Sequence, residues 1–245
     1  MSNENKSIQE FDYPLICEYY ANVERQGPGS PEITVKALGF IEHLNAQSRI
    51  ADIGCGTGGQ TMILADHIPG QITGLDLFPD FIRIFNYNAK RFNFQDRVKG
   101  IVGSMEHLPF RKEEFDLIWS EGAIYNIGFQ RGLKEWREYI KPGGYIAVSE
   151  ISWFTDKRPV EIYDFWTNAY PEIDTIPNKM RQMQEAGYIP VASFILPENC
   201  WTEHFYLPQI EVQRNFLKKY AGCKTAEEFI AVSYTHLTLP TNREV

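Results

Sequence analysis

Residues 49–60, R-I-A-D-I-G-C-G-T-G-G-Q, decide how this chain is read. Ile50-Ala51-Asp52-Ile53 is a short apolar run of strand character. It enters a glycine-rich turn, Gly54-Cys55-Gly56-Thr57-Gly58-Gly59, and a helix carrying Met62, Ile63, Leu64 and Ala65 follows. Glycines at alternate positions let the backbone bend where a Cβ would clash, and let a ligand approach the main chain. The first-turn N–H groups of the next helix then face that ligand. So many glycines in six residues weaken the local structure unless they serve a use.

Two ligands suit such a turn. Gly54, Gly56 and Gly59 satisfy G-x-G-x-x-G, the dinucleotide fingerprint, and Asp76 lies at the distance expected of a ribose-binding acid. That pattern alone admits a nicotinamide-dependent oxidoreductase. Asp52, two residues before the first glycine, tips the reading the other way. A carboxylate at the end of the strand is expected to repel a diphosphate and to suit a phosphate-free cation. S-adenosylmethionine, with its ammonium and sulfonium, is such a ligand. D-I-G-C-G-T-G also resembles motif I of the class I (Rossmann-like) S-adenosylmethionine-dependent methyltransferases, small-molecule type.

The rest of the chain can be taken in order. Ile8, Phe11, Leu15, Ile16, Tyr19, Tyr20 and Val23 predict an amphipathic helix over 8–24. Ser30-Pro31-Glu32 has the capping chemistry to open a second helix, expected over 31–45. The resemblance makes this region a lid, with Tyr19, Tyr20 and Gln26 as lid residues. Gln71–Asp76 predicts a strand whose terminal acid can accept from both hydroxyls of a ribose diol. Leu77 and Phe78 are placed to pack on an adenine. Helix 79–93 follows, then strand Val98–Val102. Gly103-Ser104-Met105-Glu106 resembles the family's adenine loop, with Ser104 standing where the family has an acid, Glu106 as a substitute and Met105 against the ring. Phe115–Ser120 is apolar on both faces, as a buried parallel strand is.

The resemblance implies a cofactor-binding set of Asp52, Gly54, Cys55, Gly56, Gly58, Gln60, Asp76, Leu77, Ser104, Met105, Glu106 and Ser120. It places Glu121, Tyr125 and Asn126 by the methyl group and the acceptor, with Glu121 and Tyr125 as catalytic candidates and Asn126 for substrate. His204 is a third catalytic candidate, because a histidine can act as a base near neutral pH. Trp153, in an aromatic-rich insert expected over the acceptor, and Trp201, near the sheet's edge, are further substrate-binding candidates.

Strand and helix alternate through 49–150, which predicts an α/β fold: a doubly wound, mostly parallel sheet with helices on both faces. The expected division is a single domain over 1–232, with a lid at 1–45, a cofactor-binding core at 46–150 and a substrate-side half at 151–232. Tyr188–Leu196 predicts a sixth strand and 208–231 a helix. Ser233–Val245 resembles translated vector or adapter sequence, so 233–245 is read as a non-native tail in which the family's last strand is either missing or mimicked by Tyr234–Leu239.

Composition narrows the function. The 245 residues carry a net charge of −8, against the basic face a nucleic-acid partner requires. A small-molecule acceptor fits better, and the 14% aromatic content suits an aromatic-walled pocket. Cys17, Cys55, Cys200 and Cys223 form no C-x-x-C pair, so no metal site and a reducing, cytoplasmic setting are expected. No apolar run is long enough to span a membrane, and the N-terminus is not a signal peptide. The oligomeric state is not legible. The expected activity is methyl transfer from S-adenosylmethionine; the alternatives are the oxidoreductase and a catalytically silent binding module of the same fold.

Overall fold

The computed structural model describes residues 13–238. Residues 8–12 of the expected first helix, and 239–245 of the expected tail, lie outside them. In chain order come α1 (Tyr13–Ala21), α2 (Pro31–Leu38), β1 (Arg49–Ile53), α3 (Gly59–His67), β2 (Gln71–Asp76), α4 (Pro79–Arg91), β3 (Val98–Val102), β4 (Phe115–Ser120), α5 (Phe129–Trp136) and β5 (Ile140–Val148). The second half holds β6 (Ser152–Trp153), α6 (Val160–Ala169), β7 (Asp174–Thr175), α7 (Ile176–Glu185), a helical turn α8 (Asn199–Trp201), α9 (Leu207–Lys219) and α10 (Lys224–Thr238).

Five strands form one parallel sheet in the order β3-β2-β1-β4-β5. Alternation along the strands divides the core. Ile50, Ile72, Leu117 and Trp119 face one side with Leu64, Ile68 and Phe85 of α3, α4 and the turn after α3. Ala51, Ile53, Leu75 and Ile118 face the other, with Phe129, Leu133 and Trp136 of α5. Phe85 fits against the sheet because Gly74 and Gly100, partners in register, leave room there; a Cβ on either would lie within 2.7 Å of its ring. Strand order reverses between β1 and β4, and in open α/β sheets the crevice beyond the carboxyl ends at that point receives ligands.

The helix caps work as their chemistry predicts. Ser30 Oγ accepts from Ile33 N at 3.3 Å, Pro31 opens α2, and Lys90 and Arg91 occupy the last turn of α4. Other expectations fail for physical reasons. Helix α2 stops at Leu38, short of residue 45. Tyr188–Leu196 is irregular rather than a strand: Pro190 and Pro197 lack donors, and Ile189, Val191 and Ile195 are exposed. The long helix expected over 208–231 is broken at Tyr220–Cys223, where Gly222 has φ 80°. Residues 234–238 continue α10 instead of forming a strand.

Helix α1 packs on the C-terminal helices. Tyr19 is fully buried among Phe216 and Phe229, and its hydroxyl donates to Gln209 Oε1 at 2.9 Å. It is thus a core residue of that layer and not a lid over the glycine turn. Among the described residues no helix is long and apolar enough to cross a membrane, and no cluster of His, Cys, Asp and Glu could hold a metal ion.

Candidate active site

Beyond Ile53 the chain turns through Gly54 (φ 74°), Gly56 (φ 56°) and Gly58 (φ 90°), left-handed conformations that favour glycine. The turn is tied to the end of β2. Gly54 N and Cys55 N donate to Leu75 O at 2.8 and 3.1 Å, and Gly56 N donates to Asp76 Oδ2 at 2.9 Å. Asp76 Oδ1 accepts from Phe78 N at 3.1 Å. These bonds fix the carboxylate at the sheet's carboxyl edge. Burial pushes its pKa up, and the N–H groups of Phe78 and Gly56 pull it back.

A cavity of about 160 Å³ lies over this edge, lined by Gly54, Gly56, Gln60, Asp76, Tyr125 and Asn126 among others. The segment after α1 roofs it. Gln26 grips the turn from above: its Oε1 accepts from Thr57 N and its Nε2 donates to Thr57 Oγ1, each at 3.0 Å. The Arg25 guanidinium pairs with Glu121, whose Oε1 also accepts from Trp119 Nε1 at 2.9 Å and Thr34 Oγ1 at 2.8 Å. Glu121 is therefore a latch between the lid segment and the end of β4. With Arg25, Thr34 and Trp119 all donating to it, the carboxylate is engaged in holding these segments together.

A second, far larger cavity of about 1590 Å³ adjoins the first. Gln26, Glu121, Gly122 and Tyr125 line both. Tyr125 has its phenol pKa raised by burial, so it is a neutral hydrogen-bond donor at ordinary pH rather than a base. Asn126 lines the small cavity, with its side-chain amide donating to Ala123 O at 2.9 Å. Trp153 and Trp201 line the large one; His204, in the π-helical segment Thr202–Tyr206, lines neither.

Several predicted cofactor residues sit elsewhere. Asp52 is wholly buried on the face it shares with Ile50 and lines neither cavity. It accepts from Thr61 Oγ1 and, at 3.5 Å, from Gln60 Nε2, so it anchors α3 to β1. Burial, the largest influence, pushes its pKa up to about 7. The charge that was to repel a diphosphate is thus turned away from the site. Ser120 is buried, its hydroxyl donating to Ile53 O at 2.8 Å. Leu77 is 56% exposed, and Glu106 forms a surface pair with Arg131 at 2.9 Å. Ser104 Oγ accepts from Glu106 N at 3.2 Å, and Met105 packs on the α5 side of the core. Gly58 shapes the turn against Phe85 and Met62 without lining the cavity, whereas Cys55 lines it.

The raised Asp52 pKa has a measurable consequence. The folded carboxyl holds its proton between about pH 4 and 7 while the unfolded one has lost it. Its contribution to stability is complete below the unfolded value of 3.8, shrinks as pH rises, and is gone above about 7. Wild-type stability should fall by up to about 4 kcal/mol across that window from this group alone. Asp52→Asn should flatten the fall, which urea denaturation at pH 5 and pH 8 measures; an unaltered slope would mean the carboxyl ionises normally.

Sequence reading missed Arg25 as the partner of Glu121, and a buried cluster at the end of β5. Lys179 Nζ and the Tyr170 hydroxyl both donate to Glu150 Oε1 at 2.6 Å, and Lys179 also donates to Glu172 O at 2.8 Å. One signal was available: Glu150 follows an apolar strand, just as Asp76 ends one.

Comparison with known proteins fits this geometry. Residues 51–148 match the family model described as a methyltransferase domain. That segment is similar to a methyltransferase domain, and the sheet around it has the fold of solved S-adenosylmethionine-dependent methyltransferases. Among relatives, the chain is 38% identical over 148 residues to erythromycin 3''-O-methyltransferase of Saccharopolyspora erythraea, covering 60% of this chain and 45% of that protein. It is 30% identical over 113 residues to demethylmenaquinone methyltransferase of Lactiplantibacillus plantarum, covering 45% and 48%. The chain thus spans about half the length of the curated relatives it matches. The same fold occurs in a methyltransferase from Thiobacillus denitrificans solved with S-adenosylhomocysteine, with a TM-score of 0.80, 21% identity and coverage of 95% and 94%. One from Geobacter sulfurreducens, also with S-adenosylhomocysteine, gives 0.77, 19%, and 90% and 88%.

Proposed function

We propose that this protein transfers a methyl group from S-adenosylmethionine to a small-molecule acceptor. The observation that carries the proposal is the pairing of Asp76 with the glycine turn. Both carboxylate oxygens are oriented by backbone donors, and each has lone pairs left for a ribose diol. The turn's N–H groups at 54, 55 and 56 are already used within the chain, which leaves little for a diphosphate and disfavours the oxidoreductase reading.

Asp76 would hold the ribose, and Gly54, Gly56 and Gln60 would border the rest of the donor. When bound, S-adenosylmethionine supplies an electrophilic sulfonium methyl. The chain's own work is then to orient the acceptor and exclude water. Tyr125, common to both cavities, sits where donor and acceptor would meet. Gln26 on Thr57 and Arg25 on Glu121 close the roof. The aromatic-rich half beyond residue 150 would carry the acceptor. All four cysteines are free thiols in the structure, which supports a reducing compartment such as the cytoplasm.

Incubation with methyl-labelled S-adenosylmethionine and a metabolite extract tests the reading. Label should appear in a low-molecular-mass product. Tight donor binding with label transferred to no compound would favour a silent module instead.

A further inference from the structure

The large cavity holds one polar feature that the proposed donor site does not use. Glu150, two residues beyond the end of β5, lines that cavity. Its side chain is 7% exposed and that of Lys179, its partner, 5%. Lys179 and Tyr170 both bond Oε1, which leaves Oε2 buried without a partner among the described residues. A buried carboxylate oxygen left unpaired is costly, and a hydrogen-bond donor arriving with a ligand removes that cost.

The surroundings define the donor. Lys179 balances Glu150, and the ammonium lies 4.7 Å from the Phe129 ring centroid and 4.9 Å from that of Tyr170. An arriving cation would meet that ammonium. Glu172, the next carboxylate, is exposed and outside the cavity lining. A neutral O–H therefore suits Oε2 better than an amine cation. The neighbouring walls are aromatic: Tyr125 lies 5.9 Å from Tyr170, and Trp153 and Trp166 belong to the same apolar cluster.

We infer that Glu150 Oε2 is the recognition point for a neutral hydroxyl on a large, mainly apolar acceptor, with Lys179 and Tyr170 holding the carboxylate in place. The inference rests on the methyl-transfer reading for the word acceptor, but the binding site stands on its own geometry. Glu150 is assigned recognition only, not proton transfer.

Two naphthalene probes of similar shape test it by calorimetry on the full chain. 2-Naphthol donates a hydrogen bond; 2-methoxynaphthalene only accepts one. The wild-type protein should bind 2-naphthol about tenfold more tightly or better. In Glu150→Gln the amide oxygen stays on Lys179 and Tyr170, which turns the NH₂ into the vacant direction. The preference should then vanish or invert toward 2-methoxynaphthalene while S-adenosylhomocysteine affinity stays near wild type; the thermal midpoint should fall, since Lys179 keeps an acceptor but loses its counter-charge. Failure of 2-naphthol to bind, equal binding of the two probes by wild type, or an unchanged preference in the variant would each overturn the assignment. Intact naphthol discrimination without S-adenosylhomocysteine binding would support the recognition point and overturn the methyl-transfer reading instead.

Discussion

Asp76→Ala should weaken S-adenosylhomocysteine binding by about 2–4 kcal/mol, roughly 30- to 1000-fold. The substitution removes two charge-assisted hydrogen bonds to the ribose. It also releases Gly56 N and Phe78 N, which donate to this carboxylate. The turn loses the bond that sets its distance from β2, so part of the effect is loss of preorganisation. Asp76→Asn separates the two contributions. It retains one acceptor oxygen and places an NH₂ against one of the backbone donors, so its affinity should fall between those of wild type and alanine variant. Calorimetry measures the affinities, and thermal unfolding reports the structural share. Unchanged affinity in Asp76→Ala would mean that the ribose is held elsewhere.

Lys179→Met should cost about 3–5 kcal/mol of stability at neutral pH, because it leaves Glu150 charged and unpaired in a dry setting. The lysine side chain is only 5% exposed, and burial already pushes the Glu150 pKa up against the pull of Lys179. Removing the ammonium raises that pKa further, so the variant should recover part of its loss under acid conditions, where Glu150 is protonated. A double variant, Glu150→Leu with Lys179→Met, should be more stable than Lys179→Met alone, since no charge is then buried. Urea denaturation of the three proteins at pH 5 and pH 8 tests this. A cost below about 1 kcal/mol, the size of an exposed pair, would show that water reaches the cluster.

The parts of the fold legible in the sequence are those set by local chemistry. The glycine turn, the apolar run Ile50–Ile53 before it, the Ser30 cap and the acid at the end of β2 all follow from short-range pattern, and the structure has each of them. Even the direction of Asp52 was implicit. It shares the parity of Ile50, so period two sends both side chains to the α3 face and away from the crevice. Long-range pairings were not legible. Arg25 and Glu121 are 96 positions apart, and Tyr19 and Gln209 are 190 apart; nothing in either neighbourhood announces its partner. Glu121 consequently read as a catalytic candidate although Arg25, Thr34 and Trp119 hold it. Tyr188–Leu196 read as a strand from its composition, but a strand needs a neighbour to pair with, which composition does not supply.

Titration of the full chain with S-adenosylhomocysteine, and in parallel with NAD, tests the central claim most directly: that the crevice over the glycine turn accepts a phosphate-free adenosyl amino acid. Micromolar binding of S-adenosylhomocysteine with no heat from NAD is the expected result. Micromolar binding of NAD with none of S-adenosylhomocysteine would contradict it.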